Sequence, residues 1–210
     1  MTVEVVSLQQ LVADAAALGG SGGRVLLGIA GAPGAGKSTV AEALVAAVGA
    51  RAVLVGLDGF HLANTELVRL QRLARKGAPD TFDAAGYVNL LCRLRARDEP
   101  VVYAPRFDRG LEEPIGSAVP VPAQVPLIVT EGNYLLVDDE HWGPVRQLLD
   151  ACWYVDPGED TRLSRLVARH QRYGRSPAEA HDRSHGSDQR NAQLIQATRE
   201  LADRVIRLAD

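Results

Sequence analysis

Apolar and polar positions along this chain follow two periods, and the switches between them predict its elements. Residues 5–18 set Leu8, Leu11, Val12, Ala15 and Leu18 at spacings of three and four, one face of a helix that residues 19–23, rich in glycine, then break. Val25-Leu26-Leu27-Gly28-Ile29-Ala30 is instead a short continuous apolar run, the pattern of a strand buried on both faces. Helical sequence rich in alanine follows over 40–48, then a second short strand over 52–57. Residues 62–73 carry a weaker helical pattern, and a helix over 84–97 presents Tyr87, Leu90, Leu91 and Leu94 on one side. Residues 101–106 are strand-like but interrupted by Pro105, which predicts an edge or exposed strand; with the Gly-, Pro- and charge-rich 107–122 they read as a projecting segment. A buried-type strand, Leu127-Ile128-Val129-Thr130, is followed by a short helix over 142–149, a strand over 151–155 and a helix over 159–173. A polar stretch runs from there through Gly186, ahead of a helix over 187–203 and a last short strand over 205–208. Strands alternating with helices predict an α/β fold with a doubly wound, mostly parallel sheet.

Composition bounds this picture. The 210 residues, 46% hydrophobic and 23% charged, suit one sizeable core with a small lid. The expected layout is a single domain over 1–210, with an N-terminal helix 4–18, a core 24–160, a lid at about 160–186 and a C-terminal helix and short strand at 187–210. A net charge of −3 gives no electrostatic reason to expect a nucleic-acid or membrane partner. No run approaches the roughly eighteen apolar residues of a membrane span, and the start lacks a basic, then apolar, leader, so a cytoplasmic protein is expected. Cys92 and Cys152 sit in apolar settings that suit small buried hydrophobes in a reducing compartment, with neither a disulfide nor a metal site expected. A homodimer is the commonest symmetric assembly for such a chain.

Chemistry enters after the first buried-type strand. Gly31-Ala32-Pro33-Gly34-Ala35-Gly36-Lys37-Ser38 fits G-x-x-x-x-G-K-S/T between a strand and a helix. Glycines let backbone N–H groups turn inward to cradle phosphate oxygens, and the helix behind adds the positive end of its dipole. Lys37 would reach the β- and γ-phosphates, Ser38 would ligate Mg²⁺, and Thr39 continues the helix at the end of the nucleotide-binding set. The spacing predicts a P-loop fold that binds a nucleoside triphosphate.

Two further strands end in polar clusters, where open α/β sheets place their ligand crevice. Asp58, in Asp58-Gly59-Phe60-His61, is a candidate general base for an attacking hydroxyl; a helix N-cap or an indirect Mg²⁺ partner are the alternatives. Glu131, in Glu131-Gly132-Asn133-Tyr134, stands where an acidic residue would hold Mg²⁺ or orient a nucleophile, and it could equally contact the acceptor. Arg162, Arg165, Arg169 and Arg172 recur at spacings of three, four and three and share one helical face. A lid closing over ATP explains that stripe; a solvated basic face is the alternative. His61, Lys76, Tyr103, Arg106, Asp108 and Asn133 come from the segments expected to surround an acceptor.

These strings resemble the P-loop kinases that include uridine kinase, phosphoribulokinase and type I pantothenate kinase. Asp58-Gly59-Phe60-His61 is similar to their Asp-led motif after the second strand, which implies that Asp58 is the catalytic base. Arg75-Lys76-Gly77-Ala78-Pro79-Asp80-Thr81-Phe82-Asp83 resembles the R-K-G-x-P-D/E-x-F/Y-D run of pantothenate kinases. The run from Arg162 to Gly174-Arg175 resembles the lid of uridine kinases and implies Arg165, Arg169 and Arg175 near the phosphates, with His170 standing where an Asp is usual. The overall layout, with its DGFH, TFD, FDR and EGNYLL strings, resembles a bacterial group described as nucleoside/nucleotide kinase-like or fructose-transport-system kinase. The resemblance implies an ATP- and Mg²⁺-dependent phosphotransferase acting on a hydroxyl of a small metabolite: a nucleoside, a sugar or a pantothenate-like alcohol. The rival reading is a regulatory P-loop ATPase or a binding module with no such acceptor. The chain carries neither an N-K-x-D guanine-reading string nor a D-x-x-G switch after a strand.

Overall fold

In the computed structural model the described residues are 1–20 and 22–209, apart from the side chain of Ser187. Ser21, within the expected break at 19–23, and Asp210, at the end of the expected 187–210 segment, lie outside them. In chain order the strands are β1 (Val3–Val6), β2 (Val25–Ala30), β3 (Ala52–Gly56), β4 (Val101–Asp108), β5 (Glu113–Pro122), β6 (Leu127–Gly132), β7 (Ala151–Val155) and β8 (Arg204–Leu208). The helices are α1 (Leu8–Leu18), α2 (Lys37–Val48), α3 (Asn64–Arg69), α4 (Ala84–Ala96), α5 (Gly143–Leu148), α6 (Glu159–Arg172), α7 (Pro177–His185) and α8 (Ser187–Gln196).

Six strands form one sheet in the order β1-β8-β7-β2-β6-β3, every pair parallel. β2 and β6 are buried at every position, as central strands covered on both faces must be. Along β2 the pleat sends Leu26 and Ala30 to one core layer, beneath α4 and α5, and Val25, Leu27 and Ile29 to the other, beneath α1 and α2. The loop after β2 therefore emerges between β6 and β7, where connections leave the sheet in opposite directions and a crevice opens. β4 and β5 pair antiparallel as a hairpin outside this sheet.

Several expectations need correction. Residues 3–6 extend the sheet instead of starting the N-terminal helix: β-branched Val3, Val5 and Val6 pair with β8, and Ser7 ends the strand by capping α1, its Oγ accepting from the Gln10 N–H at 3.2 Å. The polar stretch before Gly186 contains α7, opened by a capping box between Ser176 and Glu179 with Pro177 at its first turn. Its composition hides a helical period that these end signals carry instead. The helix expected over 187–203 ends at Gln196, and the weak pattern over 62–73 yields only α3. Cys152 is buried as expected, whereas Cys92 lies on the exposed side of α4, opposite the packed Leu90, Leu91 and Leu94.

Candidate active site

The glycine loop runs from β2 into α2 with its backbone folded against α6. Gly34 has φ +85°, and a Cβ there would sit 2.6 Å from the Arg162 carbonyl oxygen, so only glycine lets the two segments meet. Arg162 is nearly inaccessible: Nη1 donates to the Pro33 carbonyl at 3.1 Å, while Nε and Nη2 hold the Glu159 carboxylate at 2.9 and 2.7 Å. It fastens the loop from behind and does not face the crevice. Ala32 and Ala35 back onto a second, smaller cavity of about 210 Å³, and Thr39 is exposed on α2.

In front of the loop lies a cleft of about 1190 Å³, to which Pro33, Lys37 and Ser38 contribute. Lys37 is 8% exposed, and its Nζ donates to Asn133 Oδ1 at 2.6 Å and the Ala32 carbonyl at 3.3 Å. Both partners are neutral oxygens. Burial pushes Lys37 down to about 8 against the opposing pull of Glu131 and Asp58. Glu131, at the end of β6, stands beside the Ser38 hydroxyl; burial first, and Asp58 second, push it up to about 7. The pair titrates as a unit, and the negative charge settles on Asp58. Burial would raise Asp58, but His61, Arg109, Lys37 and Arg169 outweigh it and hold the carboxyl below its ordinary range. Burial also lowers His61, which is therefore neutral at pH 7, so the three cations carry the effect there.

Asp58 lies in the 3-10 turn Leu57–Phe60 beyond β3, its side chain 30% exposed to the cleft. His61 Nδ1 bonds the Asp58 carbonyl at 2.9 Å, and its ring lies between Phe82 and Phe107, with centroids 4.0 and 4.9 Å away. Lys76 Nζ donates to Asn64 Oδ1 at 2.7 Å and sits 5.1 Å from the centre of the Phe107 ring. Arg169 reaches the same cleft from α6, where burial and then Arg109 lower its pKa. Arg175 lines it from the turn after α6, and Arg165 lies beside the loop, its Nη1 3.5 Å from the Ala35 carbonyl. Arg172 is not among the cleft-lining residues. The stripe thus divides into one buried fastener, two groups near the loop or cleft, and one outlier.

Tyr103, Arg106 and Asp108 are not brought to the cleft. The hairpin register shifts between Ala104 and Arg106, a bulge in which Pro105 stands opposite residues 116–118 of β5, and the alternation of exposure along β4 breaks there. Before the bulge Tyr103 points out, at 55% exposure; after it Arg106 points out, and Phe107 and Arg109 line the cleft. Asp108 builds the tip, its Oδ1 accepting the N–H groups of Gly110 and Leu111 at 2.9 and 3.0 Å. Arg109, which the sequence reading passed over, donates through Nη2 to Asp58 Oδ2 at 2.9 Å. From α6 and α8 His170 and Asp188, 2.7 Å apart, face the cleft together, so a carboxylate from α8 accompanies the histidine that stands where the resemblance implied an Asp.

A cleft between a phosphate-type loop and a carboxylate held by cations suits transfer of a phosphoryl group between two bound molecules. Comparison with known proteins agrees. The model of the phosphoribulokinase / uridine kinase family matches residues 26–208. A protein of Schizosaccharomyces pombe described as a candidate uridine kinase is 30% identical over 194 residues, covering 87% of this chain and 83% of that one. A solved structure from Silicibacter sp. TM1040, described as a candidate fructose transport system kinase, superposes with a TM-score of 0.85 at 34% identity over 95% of this chain and 98% of that one. A D-glycerate 3-kinase from Cryptococcus neoformans shares the fold alone, with a TM-score of 0.64 at 14% identity over 95% of each chain. Among the described residues no helix is long and apolar enough to cross a membrane.

Proposed function

Because the chain belongs to the phosphoribulokinase / uridine kinase family and is a small-molecule kinase, we propose that it moves the γ-phosphoryl group of ATP to a hydroxyl of a nucleoside, a sugar or a pantothenate-like alcohol in the cytoplasm. The observation that carries the nucleotide half is Lys37. A buried ammonium with only neutral oxygen partners is costly unless an anion joins it, and the glycine loop around it offers backbone N–H groups to phosphate oxygens.

The residues present also fit Mg²⁺. Ser38 and Glu131, side by side at the cleft, supply the hard oxygen donors that ion takes. Bound there, the ion would supply charge neutralisation between the β- and γ-phosphates. Lys37 and the loop amides hold the phosphates, and Asp58 accepts the proton of the acceptor hydroxyl as its oxygen attacks. Arg165, Arg169 and Arg175 face the charge on the transferring group. His61, Lys76 and Asn133 stand beside the acceptor.

The test is ADP release from MgATP with uridine, D-fructose, D-glycerate and pantothenate as separate acceptors. Release that depends on one of them, with a new phosphate monoester of that compound, supports the proposal. Release at one rate whatever is added favours the regulatory ATPase and counts against it.

A further inference from the structure

Asp58 Oδ1 has no hydrogen-bond partner among the described residues, whereas Oδ2 is held by Arg109 Nη2 at 2.9 Å. His61 cannot take the free oxygen: its Nδ1 is engaged by the Asp58 carbonyl and lies 4.0 Å from Oδ1. The two carboxylate oxygens are therefore unequal, and the cause is the hairpin. Its middle packs directly on the turn that carries Asp58, where a Cβ on Gly59 would lie 2.6 Å from the Pro105 carbonyl oxygen. Its tip is tied to α3, with the Glu113 carboxylate accepting the Asn64 N–H at 2.9 and 3.1 Å and the Glu112 carbonyl accepting from Asn64 Nδ2 at 3.2 Å. The Arg109 guanidinium rests 5.6 Å from the centre of the Phe107 ring, which Lys76 Nζ also approaches, at 5.1 Å. An ion pair as exposed as this one contributes little to stability. Its place beside the cleft needs another account.

We propose that Arg109 is a positioning residue for the base: it fixes Asp58 by Oδ2 so that Oδ1 is turned to the acceptor hydroxyl. In the step this serves, the hydroxyl proton passes to Oδ1, the oxygen–phosphorus bond forms and the bond from the γ-phosphorus to the β–γ bridging oxygen breaks, releasing ADP. Without the guanidinium the carboxylate rotates between its two oxygens and spends less time aligned. The inference rests on the phosphotransferase reading and adds a residue to it.

The test is a double-mutant cycle with Arg109→Gln and Asp58→Asn, using the fastest of the four acceptors above. Arg109→Gln is expected to lower kcat at least about tenfold with KM for ATP within about twofold, and Arg109→Lys to recover part of the loss. In the Asp58→Asn background the same change is expected to cost less than about threefold, because a residue that acts through Asp58 has nothing left to position. Thermal unfolding within a few degrees of the parent establishes that the variants are folded. Full additivity, with Arg109→Gln as costly without the Asp58 carboxylate as with it, overturns the positioning role while leaving the kinase reading intact. If the parent shows no acceptor-dependent ADP release from MgATP, the kinase reading falls and this inference falls with it.

Discussion

Replacing Lys37 with methionine separates what the ammonium does for the fold from what it does for the nucleotide. The side chain is buried against two neutral oxygens, and its pKa stands at about 8 against 10.5 for a free lysine. That displacement means that at pH 7 the folded state carries the charge at a cost of about 3 kcal/mol relative to the unfolded chain. Methionine keeps most of the packing volume and removes the charge. It also leaves Asn133 Oδ1 without its donor, a loss of about 1 kcal/mol. The ligand-free variant is thus expected to be more stable than the parent by about 2 kcal/mol, which for a chain of this length raises Tm by about 4–8 °C. The sign reverses once ATP is added. Parent enzyme at 100 times Kd gains about 2.7 kcal/mol from MgATP. The variant, lacking a charge-assisted contact to the β/γ-phosphates worth about 2–3 kcal/mol, needs about 30–150 times more nucleotide for the same gain. Differential scanning fluorimetry across an ATP titration measures both quantities. A ligand-free variant less stable than the parent would refute the argument from the burial of the cation, and an unchanged ATP-dependent shift would remove Lys37 from the nucleotide site.

Three other perturbations test other parts of the molecule. Asp58→Asn should leave ATP affinity nearly unchanged and lower kcat by at least about 10²-fold; near-native turnover would take the base role from Asp58. Arg24, buried at the foot of the hairpin, donates to the carbonyls of Leu94, Pro122, Ala123 and Val125. Arg24→Met should lower the free energy of unfolding in urea by about 2–4 kcal/mol by orphaning them, and a loss below about 0.5 kcal/mol would show that water replaces the guanidinium. Hydrogen bonds from Arg162, ahead of those from Gln189 and Gln196, hold Glu159 down at about 2 against its ordinary 4.5. A carboxyl depressed in the folded state contributes stability that is present above pH 4.5 and is lost as the pH falls toward 2. Glu159→Gln should therefore flatten the acid limb of the stability curve, and an acid limb identical to the parent's would count against the network.

The loop was legible because its spacing answers local demands: glycine where the backbone must turn or approach closely, and lysine and serine at the positions that the phosphate-loop pattern reserves for them. Strand ends with carboxylates were legible for a similar reason, since Asp58 and Glu131 follow apolar runs whose burial leaves the next polar residue at the crevice. The arginine stripe was legible as a face but not as a set of roles. One helix face meets different surroundings along its length: the back of the loop at Arg162, the cleft at Arg169, neither at Arg172. Spacing alone reports that residues share a face and says nothing of what lies opposite each turn.

The hairpin shows the sharper limit. Period-two reasoning assigns Tyr103 and Arg109 to one side of the strand, because they are six residues apart, and an uninterrupted strand would have sent both away from the cleft. The register shift breaks that alternation: three residues of β5, 116–118, stand opposite Pro105, beyond it Phe107 turns inward while Arg106 turns out, and Arg109 lines the cleft from the turn after β4. Pro105 was the available signal: a proline inside a strand marks an edge or a bulge. The proposed acceptor half of the site therefore depends on a local irregularity of the hairpin, whereas the proposed nucleotide half depends on a contiguous motif. Deleting Gly116 and Ser117, the two residues of β5 in excess opposite Pro105, would be expected to restore simple alternation, swing Arg109 off Asp58 and lower acceptor-dependent turnover while leaving ATP binding at the loop intact. Nucleotide affinity from fluorimetry beside kcat from ADP release distinguishes the two, and a deletion variant that keeps near-native turnover would show that the bulge does not set the acceptor side.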